Sequence, residues 1–162
     1  METPTHIHFF SWETRISVEL PVGFEEELED PENHCAIYAD DLDELDERGA
    51  RIMAKMTAVP GDLPEAYLSI AEASAGIGSR TLEHREECLV DGAPAVRQVF
   101  SYHDEESSLD VFRHETFAQM ANVVFSLTCL APMNRSTTYA PAFDHASCTA
   151  RFILLPQTGT AE

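Results

Sequence analysis

Residues 79–152 decide the fold: SRTLEHREECLV (79–90), DGAP (91–94), AVRQVFSYH (95–103), DEESS (104–108), LDVFRHETFAQM (109–120), AN (121–122), VVFSLTCLAP (123–132) and MNRSTTYAPAFDHASCTARF (133–152). The runs between turn signals read as strands. Val90-Asp91-Gly92 carries the Asp-Gly pair that closes tight hairpins, and Asp104 to Ser107 is a second turn built from turn-forming residues. The spacing predicts consecutive antiparallel strands over Ser79–Leu89, Ala95–His103, Leu109–Met120 and Asn122–Leu130. A short helix around Pro141 to Ser147 and a last strand, Arg151 to Leu155, follow. In the fourth strand Val123, Phe125, Leu127 and Cys129 share one face, and Val124, Ser126, Thr128 and Leu130 the other. Neither face is strongly polar, so this strand is expected to be central and covered on both sides.

Working outward, His6–Phe10 and Thr14–Leu20 have strand character, and Pro21-Val22-Gly23 ends the second of them. Phe24–Leu28 and His34–Ala39 read as short strands separated by the polar loop Glu29–Asn33. Arg51–Val59 alternates again and stops at Pro60-Gly61. The clearest helix has Asp62 as its expected N-cap, Pro64 and Glu65 in the first turn and Ala66–Ala75 as its body. Tyr67, Ile70 and Ala71 form its apolar stripe, Ser74 dilutes that stripe, and Gly76 and Gly78 end the helix. This order of elements predicts an α+β domain, an antiparallel sheet with helices packed on it, over residues 1–156, with 157–162 as a frayed tail.

The chain of 162 residues carries 29 acidic and 10 basic residues, a formal net charge of −19. That surface repels phosphate backbones and anionic membranes, so neither nucleic acid nor a membrane is an expected partner. A basic protein drawn in by long-range attraction suits it, although charge of this kind serves solubility before specificity. The N-terminal sequence METPTHIHFFSWETR lacks a basic n-region and an apolar h-region, and no run approaches the about 18 apolar residues of a membrane span. A cytoplasmic location is therefore expected, with Cys35, Cys88, Cys129 and Cys148 reduced.

No catalytic or metal signature interrupts the pattern. The acidic run Asp40–Gly49 fails the EF-hand register, because Leu45 and Asp46 stand where a ligand and the turn glycine belong. Such dense like charge is expected in a solvated loop. His6 and His8 share one strand face, but a third ligand such as His34 or Glu19 is not specified. His103-Asp104 with Ser107 or Ser108 reads as a polar turn rather than a triad. Cys129 with His145 as base reads as core packing rather than a nucleophile. His114, beside Arg113 and Glu115, is expected on a solvated face or in a cross-strand pair. Gly76-Ile77-Gly78 lacks the lysine of a phosphate loop. The aromatic cluster Phe9, Phe10 and Trp12 suits either edge packing or a partner groove.

A hairpin with Gly92 and Pro94 at its turn, a meander, a strand ending LTCLAP and the segment YAPAFDHASCTARF together resemble the PsbP/Mog-type fold, including DcrB-related bacterial proteins. The opening ISVELPVGFEEE, with its Leu20-Pro21-x-Gly23-Phe24 step, resembles the start of that family. The resemblance spans Ile16 to Phe152 and implies an α/β/α sandwich with helices on both faces of an antiparallel sheet. It also implies binding rather than catalysis: PsbP-like members assist photosystem two, Mog-type members bind the Ran GTPase, and some DcrB-related members chaperone secreted effectors. The acidic stretch Asp40–Glu47 matches no branch. The expectation is a non-enzymatic adaptor or chaperone-like module, without cofactor or metal, that binds a protein which is basic or exposes an apolar segment; a second copy of the chain is also an eligible partner. The partner-binding candidates are Phe9, Phe10 and Trp12 with Asp40, Asp41, Asp43, Glu44, Asp46 and Glu47. The alternative is a carrier of a small apolar ligand held between sheet and helices.

Overall fold

The computed structural model describes residues 5–42 and 47–153. Ten strands and two helices follow in the order β1 (His6–Ser11), β2 (Ile16–Pro21), β3 (Glu25–Asp30), β4 (Cys35–Leu42), β5 (Glu47–Ala58), α1 (Ala66–Ala75), β6 (Thr81–Val90), β7 (Ala93–Asp104), β8 (Leu109–Met120), β9 (Val123–Pro132), α2 (Ser136–Thr149) and β10 (Arg151–Phe152). The large sheet has seven strands in the order β3-β4-β5-β9-β8-β7-β6, all neighbours antiparallel. A separate small sheet, β1-β2-β10, packs on its back. The fold is α+β, with α2 on the back face of the large sheet and α1 on the front face.

Alternation sorts the side chains. The back face presents Ala36 and Tyr38 of β4, Ile52 and Ala54 of β5, and Phe125, Leu127 and Cys129 of β9. These pack under Ile16, Val18 and Leu20 of β2 and Phe143 and Ala146 of α2. Phe125 stacks on Phe152 with ring centroids 4.6 Å apart, and Phe112 on Phe143 at 5.8 Å. Each such ring stabilises the fold by about 1.5–3 kcal/mol through burial. A smaller core lies in front, where Tyr67 and Ala71 of α1 cover Val96, Phe117 and Val124.

Two hairpin turns fix the registers of β6–β9. Val90 pairs with Ala93, leaving Asp91 and Gly92 at φ 50° and 77°, the double left-handed geometry of a type I′ turn that Asp-Gly supplies. Met120 pairs with Val123, and the turn between them places Ala121 at φ 54°.

The structure corrects several expectations. Asp62 does not cap α1: Glu65 holds the cap position and makes no side-chain cap bond. The helix start is instead satisfied from β8, where Gln119 Oε1 accepts from the Tyr67 N–H at 3.2 Å and Gln119 Nε2 donates to the Leu63 carbonyl at 2.8 Å. The acidic run is not all loop, because β4 extends through Asp40–Leu42 and β5 begins at Glu47; backbone pairing with a neighbouring strand outweighs side-chain charge where one face can stay wet. Residues 133–135 form a 3₁₀ turn that leads directly into α2, which starts at Ser136, before the expected Pro141, and ends at Thr149, just past Ser147. The expected tail 157–162 lies outside the described residues. Among the described residues no helix is long and apolar enough to cross a membrane.

Candidate functional site

The front face is only partly covered, and this is the largest departure from the expectation that β9 is sheathed on both sides. β9 is central, but α1 packs over β7 and β8 and leaves Ser126, Thr128 and Leu130 of β9 half-exposed beside Met53, Lys55 and Thr57 of β5. The hydroxyls of Ser126 and Thr128 tolerate that water contact, which a purely apolar strand would not. Register pairs Lys55 with Ser126, Met53 with Thr128, and Arg51 with Leu130, so these side chains form rungs across one open surface. A groove of about 350 Å³ runs between this surface and the flank of α1, edged by Ile70, Ser74 and Ile77. A second, of about 410 Å³, continues along the same face toward the β7–β8 turn, lined by Arg51, Tyr102, Leu109, Val111, Leu130 and Pro132.

Where α1 meets this surface lies a buried charge cluster. Glu115 of β8 is 0% exposed. Ser74 of α1 donates to its carboxylate, with Oγ at 2.9 and 2.6 Å from the two oxygens. Gln98 Nε2 donates to Oε1 at 2.8 Å, and Arg113 Nε donates to Oε2 at 2.6 Å. Arg80 Nη1 lies 3.9 Å from the same oxygen and donates to the Ser74 carbonyl at 2.8 Å. Arg80 also lies over the Tyr102 and Phe100 rings, at 5.3 and 5.9 Å from their centroids. Burial, and then the like charge of Arg113, hold the Arg80 guanidinium below its ordinary range. Arg80 and Arg113 thus flank a single carboxylate, and their side chains are only 11% and 18% exposed.

The residues singled out from sequence are scattered. Phe9 points inward, 5.0 Å from the Tyr38 ring, and packs on the core. Phe10 lies outside it, edge-on to Trp12 at 5.0 Å, and Trp12 is 69% exposed. Asp40 is tied to the back of the fold by accepting from Tyr139 Oη at 2.9 Å; burial first, then that bond, push the tyrosine up to about 12. Asp41 is the next-to-last residue of β4 and Glu47 the first of β5, while Asp43, Glu44 and Asp46 lie outside the described residues. His6 stacks on His145 rather than meeting His34, and His145 Nε2 lies 3.4 Å from Glu19. Among the described residues no three His, Cys, Asp or Glu side chains converge as a metal site requires.

Cys129 is in the core, where burial pushes its thiol up. His103 pairs across its hairpin with Asp110 at 2.9 Å, a bond that raises its pKa, while Asp104 accepts from Ser107. His114 is not solvated: it is 1% exposed because α2 covers that side of β8. Its Nε2 lies 3.2 Å from Asp144, its Nδ1 has no partner, and burial lowers its pKa despite Asp144. Sequence reasoning missed Ser74, Arg80, Gln98, Arg113 and Glu115 as a group. The available signal was the spacing Arg113, Glu115, Phe117, Gln119, which puts three polar side chains on one face of a strand.

No family model and no curated protein matches the chain. Solved structures do. The LpqN protein of Mycobacterium tuberculosis, described as involved in cell envelope biogenesis, superimposes with a TM-score of 0.69 at 13% identity, over 92% of this chain and 91% of that one. The cyanobacterial PsbP of Synechocystis gives 0.59 at 11% identity, over 94% and 95%. The Ran-binding protein Mog1p of Saccharomyces cerevisiae gives 0.56 at 13% identity, over 88% and 86%. Identities this low speak to architecture alone. The chain has the PsbP/Mog-like fold.

Proposed function

We propose that this protein is a non-catalytic binding module that holds a segment of a partner polypeptide on the open half of its large sheet. The observation that carries the proposal is the row of exposed Lys55 and half-exposed Met53, Ser126 and Thr128, flanked by α1 and adjoining a second groove. Sheet faces left bare in the middle of a domain are places where a partner completes the packing. The sheet edges suit a partner less well. β3 (EEELED) and β6 (TLEHREECLV) end the sheet with dense charge, which opposes addition of another strand. Among proteins of this fold, Mog1p is named for binding Ran, and a Pseudomonas aeruginosa structure is called a putative regulator; both names agree with a role in binding. The DcrB-related part of the resemblance adds an adaptor or chaperone-like role. A cytoplasmic location belongs to the same reading and is supported by four unpaired thiols.

The test is capture from native lysate at low and moderate salt with immobilised wild type and with Thr128→Arg, which fills the groove. A stoichiometric protein that the wild type retains and the variant loses is the expected result. Equal capture by both would place binding elsewhere and overturn the proposal. The groove lined by Leu109, Val111, Leu130 and Pro132 also favours a second reading, carriage of a small apolar ligand. Native mass spectrometry of freshly purified protein showing only the bare chain would count against that one.

A further inference from the structure

Charge on this molecule is distributed in a way that its net value hides. Ten basic residues stand against 29 acidic ones in the whole chain, yet Arg51, Lys55, Arg80 and Arg113 gather on the front face. Arg51 is engaged by Glu27 at 3.2 Å and adds little. The other three are different. Arg80 and Arg113 share Glu115, so their cluster retains one positive charge after the carboxylate is counted. Lys55 is exposed on the neighbouring column of the same face, one rung along from Met53, and no ion pair to it is found among the described residues. The 350 Å³ groove contains both Lys55 and the Arg113–Glu115 pair, with Met53, Ile70, Ile77 and Phe117 as its apolar walls. Among the described residues, Glu115 is the only acidic one lining it. The surface is therefore cationic and apolar together, within a protein that is otherwise strongly anionic.

Resting on the proposed binding role, we infer that the occupant of this groove is an acidic, partly apolar polypeptide segment, whose carboxylates meet Lys55 and the Arg113 edge and whose apolar side chains lie against α1. The Arg80–Arg113–Glu115 arrangement suits this. Glu115, fully buried, fixes both guanidiniums, so little side-chain order is lost when a second carboxylate arrives. Thr128 supplies a hydroxyl on the floor between the columns, while Ser126 Oγ donates to the Lys55 carbonyl at 3.5 Å. A basic segment would instead bring like charge to Lys55 and Arg113, which opposes docking there even though the whole molecule attracts it from a distance.

Three fluorescein-labelled peptides serve as probes: alternating leucine with glutamate, with glutamine, and with lysine. They are titrated by anisotropy into the wild type, Lys55→Glu and Arg151→Glu. Both variants change the net charge equally, but Arg151 is on β10 in the small sheet and pairs with Asp91 at 3.7 Å. Circular dichroism confirms that each variant is folded. The expected result is that the leucine–glutamate peptide binds the wild type best, loses about tenfold in affinity with Lys55→Glu, and is changed no more than about twofold by Arg151→Glu. Equal losses in the two variants would reduce the effect to net charge and overturn the inference. Tighter binding of the leucine–lysine peptide to the wild type would overturn it too. No binding of any probe, with lysate capture still lost in Thr128→Arg, would sink this inference and leave the binding role standing.

Discussion

Glu115 keeps a charge where water does not reach, and Ser74, Gln98 and Arg113 hold its oxygens in place. Removing one member of a buried ion pair leaves the other uncompensated. Glu115→Ala should therefore destabilise the fold by about 3–5 kcal/mol, and Ser74→Ala by only about 1 kcal/mol. Urea denaturation of the two variants checks the order. A second buried titrating group, His114, works in the opposite sense to a surface histidine. Its folded pKa lies below the ordinary 6.5 because burial opposes the charged ring, with Arg97 adding to that effect and Asp144 resisting it. The unfolded chain then binds the proton more readily than the folded one. The stability tied to neutral His114 is complete above pH 6.5 and is lost as pH falls through and below that value. Denaturation midpoints should drop as pH falls below 6.5, and His114→Asn should flatten the drop. An equal acid slope in the variant would assign it to other groups.

At the scale of elements, the hairpins were plain in the sequence and the helix start was not. Asp91-Gly92 announces a two-residue turn because its backbone demands φ > 0 twice, and the structure places both there. Ala121 carries no such signal, yet it sits at φ 54° at the first position of its turn. Glycine is the natural occupant there, so Ala121→Gly should raise stability by about 1 kcal/mol, less the entropy glycine returns to the unfolded chain. Thermal melts would show it, and a lower midpoint would contradict the strain argument. The N-terminus of α1 illustrates the converse. A local rule puts Asp62 at the cap, but Gln119, more than fifty residues away in sequence at a separation of 52, satisfies the helix instead. Strand alternation is local and therefore readable. The choice of which face α1 covers depends on packing between distant segments, and that is why the bare half of β9 and the Ser74–Glu115 contact were not anticipated. The aromatic cluster also divided: Phe9, paired with Val18 in β1–β2, went inward, while Trp12, in the turn after β1, went outward.

On the scale of the whole molecule, the charge of −19 acts twice. It opposes compaction by self-repulsion, so the melting temperature should rise on adding salt at neutral pH and approach a plateau as screening saturates. A flat salt response would mean that the acidic residues are too dispersed to repel. It also frames the front groove, where Lys55 and Arg113 lie beside an apolar wall. The measurement that bears most directly on the binding role is nuclear magnetic resonance mapping of the isotope-labelled protein titrated with the partner that capture isolates. Shifts concentrated at Met53, Lys55, Ser126, Thr128 and the Arg113 guanidinium are expected. Shifts confined to the back of the fold, around β1, β2 and α2, would contradict it.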